Sequence, residues 1–118
     1  GEHPAIEDTS VRRRLTRAWA NAKASECLFN RILWVTAEGK ENLAYGPAVK
    51  MFSAEAYRSD SFDLLNLTAP ESLAFDSKDA AFINQCYRHS QVATVYGGTS
   101  EVQRSQVAER QLGLPRTR

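Results

Sequence analysis

The 118-residue sequence has little of what would mark several broad protein classes. It holds two cysteines, Cys27 and Cys86, far apart and without metal-ligand spacing. No disulfide scaffold or zinc site is expected, and two reduced thiols on helices of a cytosolic protein are the simplest reading. Excess charge of either sign is also missing: 15 Lys and Arg against 14 Asp and Glu leave +1. That balance gives no global basis for binding nucleic acid or an anionic membrane surface. No apolar run approaches the roughly 20 residues needed to span a bilayer. The opening Gly1-Glu2-His3-Pro4 is polar, so no secretory leader is expected there. Strand-like alternation, internal repeats and low-complexity tracts are absent as well.

What the sequence does have is helical periodicity. Val11, Leu15, Ala18, Ala22, Ser25, Phe29, Ile32 and Thr36 recur at alternating spacings of four and three. Such a stripe predicts a long amphipathic helix over about 8–38. Trp19, Leu28 and Leu33 widen its apolar face, and Trp34 joins Trp19 as a core or interface aromatic. Asp8, Thr9 or Ser10 can cap its start, and Gly39 can end it. Arg12, Arg13 and Arg14 fan around this helix rather than forming one patch, so a DNA-binding reading has little support.

Pro47 sits where a first helical turn accepts proline, which predicts a second helix over about 47–67. Small residues such as Ser53, Ala54 and Ser61 suit it to close packing. Residues 71–77 read as a loop. Asp76 or Ser77 can cap a third helix over about 78–92. Ser100 and Gln103 have the spacing of a capping box for a fourth, about 100–112, ended by Gly113 and Pro115. The expected fold class is all-α, with four helices in a bundle or part of one.

The most informative stretch runs from Arg88 to Arg116: RHSQVATVYGGTSEVQRSQVAERQLGLPR. It reads as a helix end, a short link, a Gly-Gly turn and a new helix start. Free N–H groups at a helix start favour a phosphate, a carboxylate or a polar cofactor edge. Glycines let a backbone approach such a ligand.

VYGGTSEVQR followed by AERQLGLPR closely resembles the signature near the end of acyl-CoA dehydrogenases. In that family an Arg lies eight residues before the Tyr, and Arg88 stands so before Tyr96. DTSVRRRLTRAWANAKASECLFNRIL and GPAVKMFSAEA resemble two preceding helices, with Lys50 matching the Lys of a wording close to AKLFASE.

The resemblance implies an FAD enzyme that dehydrogenates an acyl-CoA thioester between its α and β carbons. A carboxylate removes the α-proton, FAD takes the hydride, and an electron-transfer flavoprotein receives the electrons. It implies that Tyr96, Gly97, Gly98, Thr99 and Ser100 line the flavin and thioester region. Thr99 would meet FAD, Glu101 would face it, and Tyr96 would lie beside the thioester.

The catalytic Glu of many members falls at Gly97, and glycine cannot abstract a proton. Other members with Gly or Ala there place the base on the first helix of the C-terminal domain, and that helix is not in this sequence. The R-x-x-F-G wording that contacts FAD is missing too. No catalytic residue and no metal ligand is therefore expected in this chain; Glu101, about one helical turn past Gly97, is the substitute carboxylate to test. His89 stands where the family usually has Asp, and is expected to be a surface or packing residue; His3 is expected in a frayed terminus, with no partner in sequence.

A Gln-x-x-Gly-Gly turn that holds the adenine side of FAD is replaced by FDLLNLTAPES, with Asn66 at a glycine position. That wording resembles bacterial members acting on bulky thioesters such as steroid side chains, several of them heteromeric. The expectations are thus a partial C-terminal domain over 1–118, a homo- or hetero-oligomer, cytoplasmic, with weak FAD binding by the chain alone. The alternative is a non-catalytic helical subunit that docks onto a larger dehydrogenase.

Overall fold

The structure is a computed structural model that describes residues 4–75 and 77–116. His3 and Asp76 lie outside the described residues. A 3-10 turn at Ala5–Glu7 leads into α1 (Thr9–Ala37), followed by α2 (Tyr45–Leu67), a short α3 (Glu71–Ala74), α4 (Lys78–Ala93) and α5 (Ser100–Leu112). Among the described residues all the regular structure is helical, in keeping with the expected class.

α1 starts where Asp8 accepts a hydrogen bond from the Ser10 amide. It ends at Gly39, whose φ of 65° lets Lys40 N reach Val35 O at 2.8 Å and Gly39 N reach Thr36 O at 3.1 Å. This left-handed closure satisfies the last carbonyls of the helix. At about 1.5 Å per residue the helix is about 43 Å long, and it sets the length of a thin molecule measuring 59 × 30 × 22 Å.

α2 is the hub. It packs against α1 on one side and against α4 and α5 on the other. Its buried residues, Ala54, Ser61 and Leu65 among them, are mostly small, which lets neighbouring backbones approach. Asp60 is also buried on α2. It accepts from Asn21 Nδ2 at 2.9 and 3.2 Å and faces Arg17 Nε at 3.8 Å, while Arg17 also pairs with Asp63. These bonds fix the rotation of α1 against α2.

That rotation corrects the expected stripe. Val11, Ala18, Ser25 and Ile32 turn inward, joined by Arg14, Asn21, Leu28 and Val35. Leu15, Ala22, Phe29 and Thr36 turn outward, together with Trp19, Leu33 and Trp34. Trp19 is 65% exposed and Phe29 56%. Neither tryptophan belongs to a core within the described residues; both lie on an uncovered apolar face.

Two further expectations change. The expected loop at 71–77 contains α3, one turn of helix that begins just after the cis peptide Ala69–Pro70. Ser72 Oγ donates to Leu65 O at 2.8 Å, and Asn84 Nδ2 donates to Ser72 O at 3.0 Å, so tertiary bonds hold this turn. α2 starts two residues early, at Tyr45, because Asn42 Oδ1 accepts from the Ala44 amide and organises the approach. Ser77 caps α4 by accepting from the Ala80 amide at 3.1 Å.

Candidate functional site

The Gly-Gly turn joins α4 to α5 and is built from both ends. α4 ends at Ala93, and the Ser100 amide returns to Thr94 O at 3.2 Å. Gly97 and Gly98 take φ values of 67° and 98°, the left-handed side that glycine adopts without steric cost. Thr99 then caps α5, its hydroxyl accepting from the Val102 amide at 3.2 Å.

This corrects the expected capping box of Ser100 and Gln103. The cap is Thr99, one residue earlier. Gln103 is buried, and its Nε2 donates to Gly97 O at 2.9 Å and reaches Gly98 O at 3.5 Å. Its amide is committed to the turn rather than to an N-terminal amide. At the start of α5, Ser100 N, Val102 N and Gln103 N all have acceptors, and Glu101 N has none among the described residues. The helix start therefore offers one free amide rather than a cluster.

The expected site residues fall on two sides of the turn. Thr99, Ser100 and Glu101 line an open groove of about 770 Å³ between α2, α4 and α5. Tyr96 and Gly97 lie on the side of α2 that carries Lys50. The Lys50 ammonium donates to Ala93 O and stands 5.1 Å from the Tyr96 ring centroid, a cation–π placement. A side chain at Gly97 would start 3.5 Å from Lys50 Cε. His89 joins this side: its ring lies 6.0 Å from Tyr96, and its Nδ1 lies 3.3 Å from the Tyr57 hydroxyl. The Tyr57 phenol is pushed above its ordinary value of 10.0, first by burial and then by its contact with Cys86.

Sequence reasoning missed most of the groove. α2 adds Glu55, Arg58, Ser59 and Phe62, α4 adds Tyr87 and Gln91, and the residue after α4 adds Thr94. Each set recurs at helical spacings of three and four, so each helix presents one stripe. Phe62 and Tyr87 are 5.9 Å apart between ring centroids. Glu55 pairs with Arg104 at 2.6 Å across α2 and α5. Arg58 and Glu101 have no ionic partner among the described residues. An aromatic pair, an unpaired guanidinium, several hydroxyls and an amide suit a flat, polar, partly aromatic ligand such as the flavin, which these residues fit chemically.

Arg88 is exposed and does not line the groove. No group of three or more His, Cys, Asp or Glu among the described residues could hold a metal ion. No helix among them is long and apolar enough to cross a membrane. Both cysteines are free, Cys27 exposed and Cys86 half-buried.

The family model for the acyl-CoA dehydrogenase C-terminal domain matches residues 1–112. The acyl-CoA dehydrogenase IpdE1 of Mycolicibacterium smegmatis is 28% identical over 112 residues, covering 95% of this chain and 27% of that protein. IpdE1 of Mycobacterium tuberculosis is 28% identical over 115 residues, covering 95% and 29%. A solved structure, the Tcur3481-Tcur3483 steroid ACAD, superposes with a TM-score of 0.81 at 26% identity, over 96% of this chain and 30% of that one. The chain thus spans less than a third of each of these relatives.

Proposed function

The chain belongs to the acyl-CoA dehydrogenase family through its C-terminal domain, and from that premise we propose that it is the cofactor-flanking part of an FAD-dependent enzyme that dehydrogenates acyl-CoA thioesters. The supporting observation is the groove that gathers Thr99, Ser100 and Glu101 beside Phe62, Tyr87 and Arg58. In this reading Thr99 and Glu101 face the flavin, Arg58 and Glu101 N meet its polar edge, and Tyr96 stands beside the thioester. When bound, FAD accepts the hydride from the β-carbon.

The base that removes the α-proton comes from elsewhere in the assembled enzyme. Gly97 has no carboxyl group. The thioester is bulky: FDLLNLTAPES resembles the wording of steroid-handling members apart from Asn66, and the structural neighbour is named a steroid ACAD. The enzyme is a homo- or hetero-oligomer, and an electron-transfer flavoprotein takes its electrons. The uncovered apolar side chains of α1 favour such assembly.

The test is the absorption spectrum of the purified holoenzyme. A flavin spectrum that bleaches on anaerobic addition of a steroidal or branched acyl-CoA is expected. A holoenzyme without flavin, or a flavin that no acyl-CoA bleaches, would refute the proposal. The same exposed apolar face supports a second reading, a non-catalytic helical subunit docked on a larger dehydrogenase. Turnover that survives removal of this chain from the complex would favour that reading.

A further inference from the structure

The turn between α4 and α5 is tied at its ends, where Val95 N and Tyr96 N donate to Val92 O and Ser100 N donates to Thr94 O, but among the described residues the Gly97 and Gly98 amides have no acceptor. Val95, Tyr96 and Gly97 are exposed, and Tyr96 keeps 53% of its surface open. Two consecutive glycines at φ 67° and 98° add the segment with the most conformational freedom to lose. Yet this turn separates the residue proposed for the thioester, Tyr96, from the one proposed for the flavin, Thr99. Bonds from outside the turn add the constraint that the two glycines between them do not supply.

We infer that Lys50 and Gln103 are positioning residues that clamp the 95–99 turn from opposite sides and fix Tyr96 relative to Thr99. This rests on the function proposed above. Lys50 reaches in from α2. Its ammonium donates to Ala93 O, the last residue of α4, and lies over the Tyr96 ring, while its stem runs beneath Gly97. One side chain thus ties the end of α4, the Tyr96 ring and the first glycine together. Gln103 reaches back from α5. It is 6% exposed, and its Nε2 holds the Gly97 and Gly98 carbonyls.

The residue types fit these tasks. The Lys50 task needs a long flexible stem and a full positive charge, to satisfy a carbonyl and a ring face at once. The Gln103 task needs an amide, because a carboxylate would face the same carbonyls with no proton to donate. Gly98 must lack a side chain partly because of Gln103: a Cβ there would collide with Nε2. The second glycine and the glutamine therefore form one device. Because the Gln103 side chain is buried, turning its amide away from these carbonyls leaves a buried donor without a partner, which is costly.

The experiment compares the holoenzyme with Lys50→Met, Lys50→Arg and Gln103→Glu variants. Hydrogen exchange reads residues 94–99 directly, with a peptide from the interior of α2 as the internal standard. Rapid anaerobic mixing with a steroidal acyl-CoA reads the flavin bleaching rate at saturation and the half-saturating concentration. Lys50→Met and Gln103→Glu should speed exchange of the turn at least tenfold and leave the α2 peptide unchanged. They should also slow bleaching at saturation about tenfold. Lys50→Arg should restore both readouts to within threefold of the parent.

Parent-like exchange in Lys50→Met overturns the clamp, and so does a Lys50→Arg variant as loose as Lys50→Met. A loosened turn with an unchanged bleaching rate overturns the positioning role. If Gln103→Glu fails to fold, the Lys50 pair decides alone. A parent holoenzyme that never bleaches while its turn loosens as expected refutes the proposed function and leaves the clamp standing.

Discussion

Replacing Gly98 by alanine tests the local geometry of the turn with two additive penalties. Its φ of 98° lies beyond the left-handed helical well, where a side chain costs about 1–3 kcal/mol. The new Cβ also collides with Gln103 Nε2. Moving that buried amide breaks its 2.9 Å bond to Gly97 O, a loss of about 1–3 kcal/mol. The two together make about 4 kcal/mol, large for a single surface-turn substitution. Gly97→Ala is the control. Its φ of 67° costs about 1–2 kcal/mol, and its Cβ meets only Lys50 Cε at 3.5 Å, an ordinary contact. Urea unfolding followed by circular dichroism should place the Gly98→Ala midpoint well below that of Gly97→Ala, with similar slopes. A double variant, Gly98→Ala with Gln103→Ala, should lose less than the sum of its parts, because the collision disappears. Equal midpoints for the two glycine variants would refute the reasoning.

Three other outcomes are expected. Asp60→Ala strands Asn21 Nδ2 and leaves Arg17 with Asp63 alone. Thermal unfolding should show a loss of about 1–3 kcal/mol, and an unchanged transition would remove Asp60 as the pin between α1 and α2. Burial holds the Tyr57 phenol protonated above its ordinary 10.0. The folded chain keeps this proton where the unfolded chain releases it, so the stability from Tyr57 is complete below pH 10 and falls as pH rises past it. Tyr57→Phe should flatten that alkaline fall in a pH series of urea midpoints; an identical fall in both proteins would contradict it. Trp19→Ser changes an exposed ring on α1. Folding stability should move by only about 0.5 kcal/mol, while sedimentation of the holoenzyme should show weakened assembly; unaltered assembly would count against the α1 face as a contact.

How far the sequence reveals this molecule varies by element. α1 was legible as a helix from its caps and period, but not in its rotation. Val11, Ala18, Ser25 and Ile32 belong to both its apolar stripes, and nothing local says which half is covered inside the chain. The answer depends on Asp60 and Asp63 of α2, far away in sequence, which capture Asn21 and Arg17. α3 looks like a loop in the sequence because one turn of helix has no periodicity to detect; Ser72 and Asn84 hold it through tertiary bonds. Gln103 fits the spacing of a capping box, yet the Gly97 carbonyl competes for its amide and wins. The residues of the Gly-Gly turn were legible because their wording is contiguous. Arg58, Phe62, Tyr87 and Gln91 were not, because they come from two helices and share no motif; packing against α2 brings them together.

In the proposed function this chain flanks the flavin but does not supply the base. Glu101 is the carboxylate nearest to Gly97 in sequence along the groove, and it has no ionic partner among the described residues. The direct measurement is the rate of anaerobic flavin bleaching by a saturating acyl-CoA in the Glu101→Gln holoenzyme. A rate within about threefold of the parent is expected, since a base that lies elsewhere would contribute its full share. A fall of about a thousandfold or more, typical of losing an essential proton-transfer group, would place the base at Glu101 and contradict the account.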